Sequence, residues 1–282
     1  MQKLQMKTWF ITGASRGIGL EVARAALLAG DAVVATARRP DQVRDALHEF
    51  GDRVLPLALD VTNEASIFAA VAAAKEAFGR IDVLVNNAGY GQLGAFEQIS
   101  GKAVARQFAT NVFGVFDVTR AVLPLMRSQG SGHVVTISSL CGLVGVEGAS
   151  IYCASKFAVA GWSEAMGLEL APFGIRFTVV EPGMFRTDFL DELSMQWIDV
   201  SVADYAEFDA RRRSSVRDAN HRQDGDPVAL GGVVGALVRA DYPPTHFAAG
   251  SDAFEAMVER AHRDLANAEQ WRSLSVSTDR SD

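Results

Sequence analysis

The chain alternates short apolar runs with longer amphipathic stretches almost from end to end. The runs at 8–12, 32–37, 54–58, 83–86, 133–138, 176–181 and 245–248 are mostly apolar without strict alternation of apolar and polar positions. Continuous apolarity of this kind is expected of parallel strands buried on both faces. Between the runs, 17–29, 41–50, 63–78, 102–127, 152–171 and 227–239 read as helices. The βα rhythm predicts an α/β fold, one domain over 1–282 built on a doubly wound parallel sheet of seven strands. The rhythm breaks at 184–225, which is rich in charge and aromatic residues such as Phe185, Phe189 and Trp197. Ligands of open α/β sheets bind beyond the carboxyl ends of the strands. This stretch follows such an end, so it reads as a substrate lid, the alternative being a helical excursion packed on the surface. The last part, 253–282, reads as an extra helix over 253–268 and a polar, frayed tail from 273.

Composition narrows the function. With 282 residues and 49% hydrophobic content, the chain can bury a large core. A net charge of −7 argues against nucleic acid as a partner. The run Arg211-Arg212-Arg213 reads as a solvated helix face. Cys141 and Cys153 have neither metal-ligand spacing nor a disulfide framework. They read as small buried hydrophobes in a reduced, cytoplasmic protein without a metal. No apolar run reaches the roughly 18 residues of a membrane span, and 1–7 does not read as a signal peptide because the first strand follows at once.

Several short motifs carry chemistry. Tyr152 and Lys156 lie four apart, so on a helix they share a face. A phenol beside an ammonium can act as a general acid near neutral pH, because the positive charge lowers a pKa otherwise about 10. Alone, the pair fits a surface helix contact equally well. The run Thr12-Gly13-Ala14-Ser15-Arg16-Gly17-Ile18-Gly19 joins a strand to a helix. Gly13 allows the tight turn, Gly17 lets backbone approach a pyrophosphate, and Gly19 lets the helix pack on the sheet. The second strand ends at Ala37, where a carboxylate would bind the ribose hydroxyls of NAD(H). Arg38 and Arg39 follow, and with Arg16 they can converge on a 2′-phosphate, favouring NADP(H). Read alone, Arg38 and Arg39 also fit ordinary surface cations.

Asp60-Val61 ends the third strand, and Thr62 can cap a helix entering at Asn63. Asn86-Asn87-Ala88-Gly89 ends the fourth strand, where Asn side chains can bond backbone across strands and Gly89 permits close approach. Asn111 lies within a long apolar helix, where a buried Asn must be paired. Ser138 and Ser139 close the fifth strand, and either hydroxyl can donate to a carbonyl oxygen that gains negative charge. Pro182-Gly183 and Arg186-Thr187 follow the sixth; Thr187 can bind a carboxamide or, with Asp188, cap a helix. No G-x-S-x-G surrounds Ser139, and none of the 5 His sits in a recognisable triad context, so a Ser-His-Asp hydrolase reading fails.

Taken in order, T-G-x-x-x-G-x-G at 12–19, N-N-A-G at 86–89 and a Ser thirteen residues before Y-x-x-x-K resemble the short-chain dehydrogenase/reductase family. The resemblance is close over 7–190 and loose beyond. It implies a Rossmann-type sheet of strand order 3-2-1-4-5-6-7 and interconversion of a ketone or aldehyde with its alcohol by hydride transfer. The implied catalytic set is Asn111, Ser139, Tyr152 and Lys156, with Ser139 chosen over Ser138 by the thirteen-residue spacing. Ser139 would hold the oxyanion and Tyr152 would move the proton. Lys156 would lower the phenol pKa and bind the nicotinamide ribose. Asn111 would kink its helix and hold a water linked to that lysine.

For the cofactor, the resemblance implies that the turn from Gly13 to Gly19, including Ser15, Arg16, Gly17 and Ile18, wraps the pyrophosphate. Arg38 would meet the 2′-phosphate, and Asp60 and Val61 the adenine. Asn87, Ala88 and Gly89 would line the cofactor, and Pro182, Gly183 and Thr187 would face the nicotinamide. The residues around 87–91 and 181–183 are most similar to the group containing 17β-hydroxysteroid dehydrogenases and retinol-type reductases, which implies a bulky apolar substrate. Helices 102–127 and 152–171 are apolar on more than one face; similar enzymes pair them across a two-fold axis, implying a homodimer or homotetramer. Two alternatives are a catalytically silent NADP(H)-binding regulator and a nucleotide-sugar epimerase or dehydratase. The latter is disfavoured because the turn after the first strand reads G-x-x-x-G-x-G rather than G-x-x-G-x-x-G, and because such chains usually carry a larger carboxyl-terminal domain.

Overall fold

A strand that is apolar on both faces must be covered on both, and this requirement arranges the molecule. The computed structural model describes residues 6–191 and 194–280. Its main sheet comprises β1 (Thr8–Ile11), β2 (Ala32–Ala37), β3 (Val54–Ala58), β4 (Val83–Asn86), β5 (Gly132–Ile137), β6 (Ile175–Pro182) and β7 (His246–Ala249). All neighbours pair in parallel, in the order β3-β2-β1-β4-β5-β6-β7. This is the expected Rossmann-type fold in a single domain. The order reverses between β1 and β4, and a ligand crevice opens at such a switch point.

The helices are α1 (Gly17–Leu28), α2 (Pro40–Leu47), α3 (Glu64–Phe78), α4 (Gly101–Phe108), α5 (Gly114–Gln129), α6 (Ser150–Leu170), α7 (Ala206–Ala219), α8 (Pro227–Arg239) and α9 (Ser251–Val276). Trp9 and Phe10 are adjacent in β1 and both fully buried, because successive side chains point to opposite faces. Trp9 joins a core with Val22 and Leu27 of α1, Leu47 of α2 and Val234 of α8. Phe10 joins another with Ile67 of α3, Val122 and Met126 of α5 and Leu170 of α6. Each such side chain contributes about 1.5–3 kcal/mol by leaving water.

The strands lie where the apolar runs predict them, but several helix bounds differ. The helix expected over 41–50 stops as α2 at Leu47, and a 3-10 stretch, His48–Arg53, follows it. Gly51 there has φ +57, which no α-helix accommodates. The helix expected over 102–127 carries a π-helical insertion, Ala109–Phe113, between α4 and α5. Asn111 lies in that insertion and bonds the backbone of Tyr90, a long-range tie that local periodicity does not register. The extra terminal helix is longer than 253–268: α9 runs to Val276, through the start of the tail expected to fray. Residues 281–282 of that tail and 1–5 at the other end lie outside the described residues.

The expected lid folds as short pieces. Asp188–Leu190 is a 3-10 turn, Met195–Gln196 pairs in parallel with Gly91–Gln92, and α7 ends the excursion. Residues 192–193 within it lie outside the described residues.

His133 makes this fold acid-sensitive. It is 2% exposed in β5, with Nε2 bonded to Thr178 Oγ1 at 2.9 Å and Nδ1 without a hydrogen-bond partner. Burial first, then the positive charges of Arg176 and Lys7, push the imidazole down to about 3 from 6.5. The folded pKa is depressed, so between pH 6.5 and about 3 the unfolded chain binds the extra proton. Stability is therefore lost as pH falls through that window, by up to about 1.4 kcal/mol per pH unit. Urea unfolding at pH 7, 6 and 5 should give a shallower pH slope for His133→Gln than for the wild type. Equal slopes would contradict this origin of acid lability.

Candidate active site

The glycine turn and the end of β4 are built as one unit. Gly13 and Gly17 have φ of +67° and +57°, conformations that L side chains rarely adopt. Asn87 Nδ2 donates to the carbonyls of Thr12 and Gly13, both at 3.0 Å. Thr12 Oγ1 accepts from the amides of Asn87 and Ala88, again at 3.0 Å. A Cβ on Gly19 would lie 2.4 Å from Asn87 Nδ2 and 2.5 Å from Gly13 O. The turn thus depends on the absence of a side chain there. Asn86 has a different place: its Nδ2 donates to Thr119 Oγ1 of α5 at 2.9 Å.

The first turns of α6 carry Tyr152 and Lys156 toward the end of β5. Lys156 Nζ donates to Ile137 O at 2.8 Å and lies 5.7 Å from the Tyr152 ring centroid. Burial pushes the Lys156 ammonium down to about 8. Burial also pushes the Tyr152 phenol up, with Cys141 adding to the rise; a hydrogen bond with the Ser139 hydroxyl opposes it. The expected lowering of the phenol by Lys156 is therefore corrected. In the protein alone the loss of water dominates, since both charged forms are penalised in a low-dielectric site.

Ser138 and Ser139 have separate surroundings. Ser138 is 3% exposed and its hydroxyl donates to Lys156 O at 3.2 Å. Ser139 Oγ accepts from Cys141 N at 3.1 Å, capping the turn Leu140–Gly142, and meets the phenol. Asn111 Nδ2 donates to Tyr90 O at 2.9 Å and Ser155 Oγ at 3.3 Å, and its Oδ1 accepts from Tyr90 N at 3.2 Å. Its side chain ties the loop after β4 to α6, and no hydrogen bond among the described residues joins it to Lys156.

Gly13, Gly17, Asn87, Ala88, Ser138, Ser139, Tyr152 and Lys156 line one cavity of about 1000 Å³, whereas Gly19 and Asn111, expected at the site, are not part of its lining. Ser15, Ile18, Gly89, Pro182, Gly183 and Thr187 line it as well. Arg38, Arg39, Asp60 and Val61 form one end. Asp60 accepts from Thr62 N at 2.9 Å and Thr62 Oγ1 at 2.7 Å; these bonds, then the charge of Arg38, hold its carboxyl below the usual value. The cap of α3 expected from Thr62 is instead Asn63, which accepts from Ser66 N at 2.9 Å. Arg38 and Arg39 form no salt bridge among the described residues. Arg16 lines the same cavity, and its Nη2 donates to Ser194 Oγ at 2.6 Å, tying the glycine turn to the expected lid. Thr187 caps the turn Asp188–Leu190, as one of its two expected roles required, and it also lines the cavity.

The other end of the cavity is walled by the 184–225 segment. Phe189 lies 5.7 Å from the Tyr152 ring, and Leu93, Val146, Met195 and Val216 add apolar wall. Sequence reasoning missed Arg212, Gln223 and Cys141, which also line it. Successive helical residues point about 100° apart, so three arginines in a row cannot share one solvated face; that was the available signal for Arg212. Cys141 gave only a hint, by lying two residues from Ser139. Cys141 and Cys153 are free thiols near enough to influence each other's titration, which raises Cys141 and lowers Cys153. Asp188, Asp191 and His221 gather at the rim, where Asp191 Oδ1 accepts from Asn220 Nδ2 at 2.7 Å and His221 Nε2 at 3.1 Å.

A family model described as short chain dehydrogenase matches residues 7–197. Oxidoreductase BOA17 of Botryotinia fuckeliana (strain B05.10) is 42% identical over 273 residues, 96% of this chain and 99% of that protein. A short-chain dehydrogenase from Streptomyces avermitilis has a similar structure, with a TM-score of 0.89 and 37% identity over 98% of this chain and 100% of that one. A short chain dehydrogenase/reductase from Burkholderia phymatum, solved in complex with NAD, has a TM-score of 0.81 and 25% identity over 94% of this chain and 96% of that one.

Proposed function

This chain is an oxidoreductase of the short-chain dehydrogenase/reductase family, and on that premise we propose that it interconverts a ketone or aldehyde with its alcohol using NADP(H). The observation that carries the reading is one cavity in which Ser139, Tyr152 and buried Lys156 adjoin a side-chain-free backbone cradle. The fit to a dinucleotide rests on Gly13 and Gly17, whose positive φ favours glycine and so leaves backbone open to a pyrophosphate at those two positions. Gly13, Gly17 and Gly19 would hold the pyrophosphate, Asp60 and Val61 the adenine, and Pro182, Gly183 and Thr187 the nicotinamide. When bound, the cofactor supplies the hydride, chemistry that no side chain can provide.

The chain's own residues handle the oxygen and the proton. The hydroxyls of Ser139 and Tyr152 would receive the substrate oxygen as it gains negative charge. A phenol held up by burial keeps its proton until that charge develops, which suits it to act as the acid in reduction. Alcohol oxidation needs the phenolate, and the Lys156 ammonium is the buried charge that would stabilise it. With its pKa near 8, Lys156 can also exchange a proton near neutral pH. Asn111 would act at one remove, fixing Tyr90 and Ser155 on either side of this group. The 184–225 segment would serve as the substrate lid, since it walls the cavity beside Tyr152. No helix among the described residues is long and apolar enough to cross a membrane.

NADP(H) is preferred on the character of one end of the cavity. Ala37 offers no carboxylate to the ribose hydroxyls, and Arg38 and Arg39 form no salt bridge among the described residues, although Asp60 lies near enough to Arg38 to feel its charge. Arg38 is the guanidinium that would meet a 2′-phosphate, and Arg16 lines the same cavity.

Two outcomes are expected. Tyr152→Phe should retain cofactor binding, measured by calorimetry, while turnover of a carbonyl substrate falls by roughly 10²–10⁴-fold. Near wild-type turnover would end the assignment of Tyr152. The dissociation constant for NADPH should be at least about tenfold below that for NADH, as expected of charge-assisted contacts, and Arg38→Asp should invert the order. Equal constants in the wild-type protein would contradict the cofactor choice.

A further inference from the structure

The three consecutive arginines of α7 have three different surroundings. Arg211 Nη2 lies 3.6 Å from a Glu147 carboxylate oxygen, and its guanidinium lies 5.6 Å from the Phe208 ring centroid. Arg213 stacks over Trp197 at 4.5 Å. Arg212, between them, lines the cavity. Its Nε is shut off from water without a hydrogen-bond partner, and no carboxylate pairs with its guanidinium among the described residues.

The fold holds Arg212 in that place. A Cβ on Gly148 would lie 2.9 Å from Phe208 Cζ and 3.1 Å from Arg212 Nε, so α7 packs directly on the turn that leads into α6 and Tyr152. No residue of α7 is buried, so Arg212 is not a core-packing residue. A guanidinium is a lasting cation with five donors in a fixed fork, shaped to receive a carboxylate in two-point contact. Its Nε is closed off to water and ligand alike, so the Nη groups, which are neither buried nor bonded among the described residues, are what an acceptor in the cavity would meet.

The rest of that wall says what kind of ligand. Around Tyr152 it is apolar, formed by Leu93, Val146, Phe189, Met195 and Val216. The other polar groups at this end are Ser215, Asp188 and Gln223, which is 5% exposed with Oε1 unpartnered. Building on the carbonyl-reductase reading above, we propose that the substrate is an oxo acid: an apolar body seated between Phe189 and Val216, its carbonyl at Tyr152 and its carboxylate on Arg212. The bulky apolar substrate implied by family resemblance thereby becomes an amphipathic one.

Two measurements test this. Binding of a series of straight-chain carboxylates from hexanoate to dodecanoate, each beside its neutral primary amide, is followed by calorimetry without any turnover. At least one carboxylate should bind about ten- to a hundredfold tighter than its amide, the range expected for a hydrogen-bonded charge. That advantage should collapse toward unity in Arg212→Met and persist in part in Arg212→Lys. Turnover of oxo acids beside their methyl esters should show the same ratio in kcat/KM, with the change in Arg212→Met falling on KM. If no carboxylate outbinds its amide, or if the advantage survives in Arg212→Met, the proposal is overturned. Carboxylate binding that depends on Arg212 in a protein that reduces no carbonyl would sink the reductase reading alone. Ester turnover equal to acid turnover would sink the Arg212 assignment alone.

Discussion

A buried ammonium must give its protons to acceptors within reach, and Lys156 gives one to the carbonyl of Ile137, 2.8 Å away where β5 ends. The contact is reciprocated: Ser138, the next residue of the strand, donates its hydroxyl to the carbonyl of Lys156. Helix α6 is thereby fixed to the sheet at the level of its first turns. Tyr152, one turn before Lys156, is held beside Ser139, the residue after Ser138. The spacing of a Ser thirteen residues before a Tyr, and of a Lys four after it, becomes a single geometric object through these two bonds.

The rest of the cavity follows from the same end of the sheet. Arg38 and Arg39 extend from β2, the glycine turn from β1, the Asn87 clasp from β4 and the 184–225 segment from β6. A chain of net charge −7 sets Arg16, Arg38, Arg39 and Arg212 along one cavity. Such a concentration of positive charge in a cleft focuses the field on anionic ligands.

What the sequence disclosed and what it concealed divide by the range of the interactions. Strands such as 32–37 were legible because a parallel strand buried on both faces leaves a continuous apolar run. Gly13, Asn87, Tyr152 and Lys156 were legible as motifs, since their spacing belongs to one turn or one helix face. The irregularity at Asn111 was implied by the family resemblance but not by local periodicity, because it answers to Tyr90, 21 residues away. Nor was the engagement of Arg16 by Ser194, which spans 178 residues. The direction of the Tyr152 shift was misjudged for a related reason. A neighbouring charge is visible in sequence, whereas the burial that outweighs it is assembled from β5, α6 and the 184–225 segment. The Arg211-Arg212-Arg213 run shows the same limit: each residue's surroundings come from a different part of the fold.

The central claim is that Lys156 is a buried ammonium whose charge is marginal near neutral pH, and it can be observed directly. The chain has 5 Lys, so labelling lysine Cε with carbon-13 gives a resolvable titration from pH 6 to 12. The account predicts one resonance that titrates near 8 and vanishes in Lys156→Met. Titration of every lysine above about 10, the range of a solvated amine, would contradict it.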